Sequence, residues 1–316
     1  MNYQDKSFTF SPAQWIPFKD AEVLECVRSI KREDMEKHPN PDFKIKIVPD
    51  PGSIWMADMI LRIRESDEKN KKLTMLMPNP ASAVYSAVAE TINRFRINCR
   101  NVHTFNLDEW ADDEGHVAPE SYRAGFNYSF LKYFYGNIDP DLRMKRENCR
   151  APTTENIKDY SKLIAECGEG GADICYSGPG WAGHLAFIDP DTDEFAAGDI
   201  EEFLKMESRI VTLHPLTIAQ NSLHGVFGCS GDIANVPPKA ATIGPIDVVR
   251  SRNRMEMHAV STMGSMSAWQ RMISRLVLHG PVTMQVPSSI LQLMPTSVYV
   301  SEEIAREIIC LEEVGY

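Results

Sequence analysis

No apolar run in the chain reaches the roughly 18 residues that a membrane-spanning helix needs, so no transmembrane segment is expected. The start, Met1 to Ser7, lacks the basic and apolar parts of a signal peptide, and a cytoplasmic location is the expectation. Positive charge is in deficit: 33 Lys and Arg face 44 Asp and Glu, a formal net charge of -11. That deficit argues against nucleic acid or an anionic membrane as the main partner. It leaves room for a small anion, because local charge can oppose net charge. The seven cysteines (26, 99, 149, 167, 175, 229 and 310) are scattered, odd in number and without a CxxC pair, which predicts free thiols rather than a disulfide framework. The eight histidines show no HxH or HExxH spacing, so no metal site is expected. No GxSxG elbow, P-loop or dinucleotide fingerprint occurs, and no internal repeat or Pro/Gly/Ser linker divides the chain.

What is present is a chain of 316 residues, 43% hydrophobic, long enough to bury a full core. Ser11-Pro12 reads as a helix start, and Val23, Leu24, Val27 and Ile30 recur at helical spacing. Residues 1–45 are read as an N-terminal helical extension and 46–316 as one α/β domain. Leu73 to Met77 is a short apolar run, read as a buried strand. The stripe Val84, Tyr85, Val88, Ile92 and Phe95 comes next, with Ser82 as its expected N-cap. Val102 to Leu107 is the next strand, ending at Asp108-Glu109-Trp110. A helix is expected to open at Pro119-Glu-Ser-Tyr122 and run through Phe134, and another covers 160–167. Strands are expected at 172–176, 209–213, 241–243, 257–262 and 297–300, with helices at 266–278 and 302–309. This alternation predicts a doubly wound, mostly parallel sheet covered by helices on both faces. Ligands of such sheets sit at the carboxyl ends of the strands.

The residues that can do chemistry collect at those ends. Asp108 and Glu109 are adjacent carboxylates that a regular strand would turn to opposite sides. Cys175-Tyr-Ser-Gly178-Pro-Gly180-Trp-Ala-Gly183-His184-Leu-Ala-Phe-Ile-Asp189 is a strand, a glycine-rich turn, then a histidine and an aspartate five residues apart. Glycines let backbone N–H groups approach an anion or a sugar. Histidine is suited to proton transfer near neutral pH, and Asp189 is placed to orient it or to cap the segment after Pro190.

Taken as an ordered set, several blocks resemble the glucosamine-6-phosphate deaminase/isomerase family, which is related to the 6-phosphogluconolactonases. They are Thr104-Phe-Asn-Leu-Asp-Glu-Trp110, Pro119-Glu-Ser-Tyr122, Ser177-Gly-Pro-Gly-Trp-Ala-Gly-His-Leu-Ala-Phe-Ile-Asp-Pro190, Val236-Pro-Pro-Lys-Ala-Ala-Thr-Ile-Gly244, Met263-Gly-Ser265 and Ser289-Ile-Leu-Gln-Leu-Met-Pro295, spanning roughly residues 47 to 305. The resemblance implies a modified Rossmann-like α/β fold. It implies Asp108 as the base that moves a proton between C1 and C2 of an opened sugar. His184 assists ring opening, with Asp189 in place of the family's glutamate and Glu109 as a further acidic candidate. Asn79, Ser82, Gly178, Gly180, Gly183 and Ser265 are the implied substrate contacts. No metal or organic cofactor is implied. The partner is a small sugar or sugar phosphate, and homo-oligomers occur in the family. Three positions depart from the pattern: Ala182 replaces the acid before Gly-His, Leu223 the phosphate-binding arginine and Ser267 a lysine. A non-catalytic sugar-binding or regulatory member and a lactonase-like hydrolase are the alternative readings.

Overall fold

The computed structural model describes residues 10–79, 81–259 and 270–308. Seven strands form one sheet in the order β1 (Phe43–Val48), β10 (Thr296–Ser301), β9 (Asn253–His258), β6 (Ile174–Ser177), β2 (Leu73–Met77), β3 (Val102–Asn106), β5 (Cys149–Arg150). Every pairing in it is parallel. Both faces are buried, and the strand residues divide between two cores by the two-residue pleat. Leu73, Met75 and Met77 of β2 face a core completed by α2 (Pro51–Glu68), α3 (Ser82–Phe95) and α4 (Phe126–Tyr133). Leu76, Phe105 and Cys175 face the other core, which takes in α1 (Ala21–Arg28), α5 (Tyr160–Cys167), α8 (Pro245–Arg250) and α9 (Arg271–His279). This is the doubly wound α/β architecture expected from the alternation.

The chain enters β2, winds outward through β3 to β5, then returns to β6 on the opposite side of β2 and continues to β9 and β10. The β2/β6 boundary is therefore the point where the winding reverses. Crevices outside the carboxyl ends of strands at such a point are the standard ligand sites of open α/β sheets.

A second sheet, not foreseen as separate, packs beside the first: β4 (Asp108–Ala111), β8 (Lys239–Thr242) and β7 (Arg209–Thr212), all antiparallel. One residue, Leu107, joins β3 to β4. That is far too short for a parallel crossover, so the chain turns out of the first sheet and starts another. Leu107 ties the two together, its N–H bonding Met77 O at 3.1 Å and its carbonyl accepting from Ile243 N at 2.9 Å. The strands expected at 209–213 and 241–243 belong here rather than to the parallel sheet.

Other elements move. The expected division at 45/46 falls inside β1, an edge strand that pairs with β10 from the far end of the chain. Phe18, Val27 and Met35 are buried in the main core. The buried Arg275 guanidinium joins Ile30 O to the carbonyls of Ile304, Ala305 and Arg306. No helix starts at Ser11-Pro12; α1 starts at Ala21, where the Asp20 carboxylate accepts from Glu22 and Val23 N–H. Ala81, not Ser82, is the N-cap of α3, accepting from Tyr85 N at 2.9 Å, and Ser82 is the first helical residue. The last helix, α10 (Glu302–Ala305), stops earlier than expected. Beyond 259, the strand expected at 257–262 and the start of the helix expected at 266–278 lie outside the described residues. The described cysteines are free. Among the described residues no helix is long and apolar enough to cross a membrane, and no cluster of His, Cys, Asp and Glu is arranged to hold a metal ion.

Candidate functional site

At the reversal point the ends of three parallel strands open into a cavity of about 240 Å³. Pro78 and Asn79 come from the end of β2, Asp108 from the β3/β4 seam, and Gly178 and Gly180 from the turn after β6. His184, Ala186 and Phe187 line it from the loop beyond, and Gln220, Asn221 and His224 from α7 (Pro215–Asn221) and the short turn after it. Trp55, Phe126 and Met257 complete the apolar part. Asp108 and His184, far apart in the chain, thus share one space.

Asp108 sits at the join of the two sheets, opposite Thr242 in the β4/β8 ladder. It is 5% exposed, and its hydrogen bond is from Asn79 Nδ2 at 3.2 Å. Burial pushes its carboxyl up to about 8; the Glu109 charge adds to the shift and the Asn79 amide opposes it. An acid of that kind is partly ionised near neutral pH, the condition for general-base work.

Glu109 leaves the site. The strand turns its side chain to the opposite face, where one carboxylate oxygen accepts from Trp110 N (2.9 Å) and Phe126 N (3.1 Å) and the other from Asn127 N (2.7 Å). It thereby caps α4. This also explains why α4 begins at Phe126 and not at Pro119: the cap is supplied by a residue 17 positions upstream, and 119–125 fold as turns. Glu109→Ala orphans three buried amides and is expected to cost about 1–3 kcal/mol in urea unfolding. Glu109→Gln, which keeps one acceptor oxygen, should lose less.

His184 is held from one side. Its Nδ1 lies 2.8 Å from Asp189 Oδ1 and 3.0 Å from Thr217 Oγ1, and Thr217 Oγ1 donates to the same Asp189 oxygen at 2.7 Å. The second Asp189 oxygen accepts from His214 N at 2.8 Å. Asp189 is buried. A carboxylate on that side fixes the proton on Nδ1 and leaves the Nε2 lone pair for chemistry. Gly180 keeps Nε2 clear, since a Cβ there would stand 2.0 Å from it and 2.6 Å from Gln220 Oε1. Ala186 holds a φ of +53° in the tight turn that brings it and Phe187 onto the wall.

The remaining expectations divide. Gly178 and Gly180 line the cavity. Gly183 does not: with φ +75° it shapes the turn, packed against Ile273 and Val286. Ser82, at the first position of α3, is not on the wall. Ser265 and Ser267 lie outside the described residues. Ala182 faces a separate apolar hollow with Ile16, Phe18, Trp181 and Ile273, so no acid is offered there. Leu223 is 36% exposed, beyond the end of α7. Thr217, Gln220 and His224 were not anticipated. Their only signal is a seven-residue helix introduced by His214-Pro215, with Thr217 and Gln220 three apart on one face. Burial, and then the His184 charge, lower His224 to about 4, so it is neutral at physiological pH.

No family model matches the chain. Among curated proteins it is 30% identical over 266 residues to glucosamine-6-phosphate deaminase of Borrelia hermsii, covering 80% of this chain and 86% of that protein. It is 29% identical over 276 residues to the protein of that name from Rhodopirellula baltica, covering 84% and 96%. Among solved structures, a monomeric glucosamine-6-phosphate deaminase superposes with a TM-score of 0.66 at 20% identity, over 83% of this chain and 99% of that one. The 6-phosphogluconolactonase of Leishmania guyanensis gives 0.58 at 12% identity, over 85% and 99%. The fold is thus shared with both enzyme groups, whereas the sequence sides with one of them. This chain belongs to the glucosamine-6-phosphate deaminase family.

Proposed function

We propose that the protein is an aldose–ketose isomerase of sugars or amino sugars, with Asp108 as the proton-transfer base and His184 as the ring-opening acid/base. The observation that carries the reading is the single cavity walled by both side chains at the reversal point of the sheet. In this scheme His184 Nε2 takes the proton of the C1 hydroxyl and returns one to the ring oxygen, opening the ring. The Asp108 carboxylate then removes the C2 proton, made acidic by the C1 carbonyl, and delivers it to C1, while a proton from the hydroxyl or ammonium at C2 passes to O1. With a 2-amino sugar the product at C2 is an iminium. Water adds to it, the C2–N bond breaks and ammonia leaves.

Asp189 and Thr217 act through His184 by fixing its ring. Trp55, Phe126 and Phe187 present apolar faces to a sugar ring and its C–H groups. Neither step calls for a metal or an organic cofactor.

Exchange at C2 tests the reading. The protein in D2O is expected to remove the C2–H proton resonance of at least one aldose, amino sugar or phosphorylated counterpart. Silence across that whole set overturns the isomerase assignment.

A further inference from the structure

We infer that the cavity takes a sugar without a phosphate group, aldose or amino sugar, in contrast to the phosphorylated substrate that gives its relatives their name. The inference rests on the function proposed above and narrows its substrate class.

The charge inventory of the wall carries it. Among the described residues lining the cavity there is no lysine or arginine. Residues 260–269, which follow β9 in the sequence, are Val-Ser-Thr-Met-Gly-Ser-Met-Ser-Ala-Trp and by composition add none. Pro80, beside Asn79, adds none either. The imidazoles do not replace a cation: His224 is neutral, and any charge on His184 faces the Asp189 carboxylate. Among the described residues the one acidic side chain on the wall is Asp108, whose partner is the Asn79 amide rather than a cation.

A phosphomonoester carries close to two negative charges at neutral pH. Proteins hold such groups with charge-assisted hydrogen bonds from Arg or Lys, or on the open amides of a helix N-terminus. The helix start on the wall, α4 at Phe126, has its first amides taken by the Glu109 carboxylate, and α3 begins at Ser82, off the wall. A dianion placed here would lose its hydration beside a buried carboxyl and gain no counter-charge.

A neutral sugar meets a better match. Asn79 and Asn221 each donate one amide hydrogen inward, to Asp108 Oδ1 and Thr217 O. Their carbonyl oxygens, with the Gln220 amide nitrogen, are without a partner among the described residues and are free for hydroxyls. An ammonium at C2 of an amino sugar would lie in a cavity whose ionisable carboxyl is its natural counter-ion.

The experiment compares matched pairs on the full-length protein: glucosamine with glucosamine 6-phosphate, and fructose with fructose 6-phosphate. Deuterium entry at the proton-transfer carbon is followed by NMR. The expected result is a kcat/KM at least about tenfold higher for the unphosphorylated member, with no competition from inorganic phosphate. A phosphorylated member that reacts faster, or competitive inhibition by phosphate, overturns the inference and leaves the isomerase reading standing. If no sugar exchanges, the isomerase reading falls, and binding to the Asp108→Asn variant by calorimetry decides the substrate class. Tighter binding of the phosphorylated member then overturns the inference, and tighter binding of the free sugar upholds it.

Discussion

Asp108→Asn is expected to slow C2 proton exchange by about 10²–10⁴-fold, the usual contribution of a positioned base. KM for an aldose without an amino group should change little, because the amide fills the same space against Asn79. The pH profile is the sharper readout. With the carboxyl raised to about 8, the competent anion falls about tenfold for each pH unit below that value. The wild-type rate should therefore climb between pH 6 and 8 and level off above it, and the variant should lose this limb. Asn79 donates to the carboxylate and so favours the ionised form. Removing it with Asn79→Ala raises the Asp108 pKa further and moves the limb to higher pH. A rate that stays flat from pH 6 to 9 would exclude Asp108 as the base.

The same substitution should stabilise the fold in the alkaline range, and the sign comes from linkage. Below about pH 4 the aspartate is protonated in both the folded and unfolded chains, so Asp and Asn behave alike. From there to about pH 8 the unfolded chain ionises while the folded one holds its proton, so stability drains away as pH rises. The asparagine has no proton to lose. Its advantage in urea unfolding should grow from pH 4 to 8, reach the order of a few kcal/mol, and stay constant above. A residue whose ordinary charge destabilises the native state, set at a strand end facing a cavity, is the physical mark of a functional position.

How much of this is legible in sequence depends on whether the deciding contact is local. The buried strand Leu73–Met77, the stripe of α3 and the turn around Gly178–His184 announce themselves because apolar runs, helical periods and glycines act within a few residues. The alternation of strand and helix then places Asp108 and His184 at the same end of the sheet before any coordinate is known. The second sheet was not legible, because β4 exists only by pairing with β8, some 130 residues later. Nor was the role of Glu109: its place beside Asp108 suggests a second catalytic acid, whereas its carboxylate is spent on the first turn of α4. β1 escaped notice for the same reason, its partner being β10 at the far end of the chain. Ser82 failed more locally, by a single position: the helix takes Ala81 as its cap and leaves the hydroxyl inside the first turn.

Asp189→Asn carries the second large effect, and the geometry leaves the asparagine no good orientation. Asp189 accepts on both oxygens: His184 Nδ1 and Thr217 Oγ1 on one, His214 N–H on the other. If the asparagine carbonyl faces His184, its NH₂ points at the His214 N–H, donor against donor. If the amide turns round, the NH₂ faces His184 Nδ1, which must then give up its proton and carry it on Nε2, removing the lone pair that the chemistry needs. Either orientation costs about 1–3 kcal/mol for a buried group left unpaired. Only the second also reverses the imidazole tautomer, for which rate losses of about 10²–10⁴-fold are expected in analogous His–carboxylate pairs. Urea unfolding and C2 exchange measured together separate the two. Thr217→Val keeps the carboxylate and removes only the bridging hydroxyl, so its rate loss should stay near roughly tenfold, the worth of one ordinary hydrogen bond. If Asp189→Asn exchanges at the wild-type rate once corrected for the folded fraction, Asp189 is a structural acid and His184 does not depend on it for orientation.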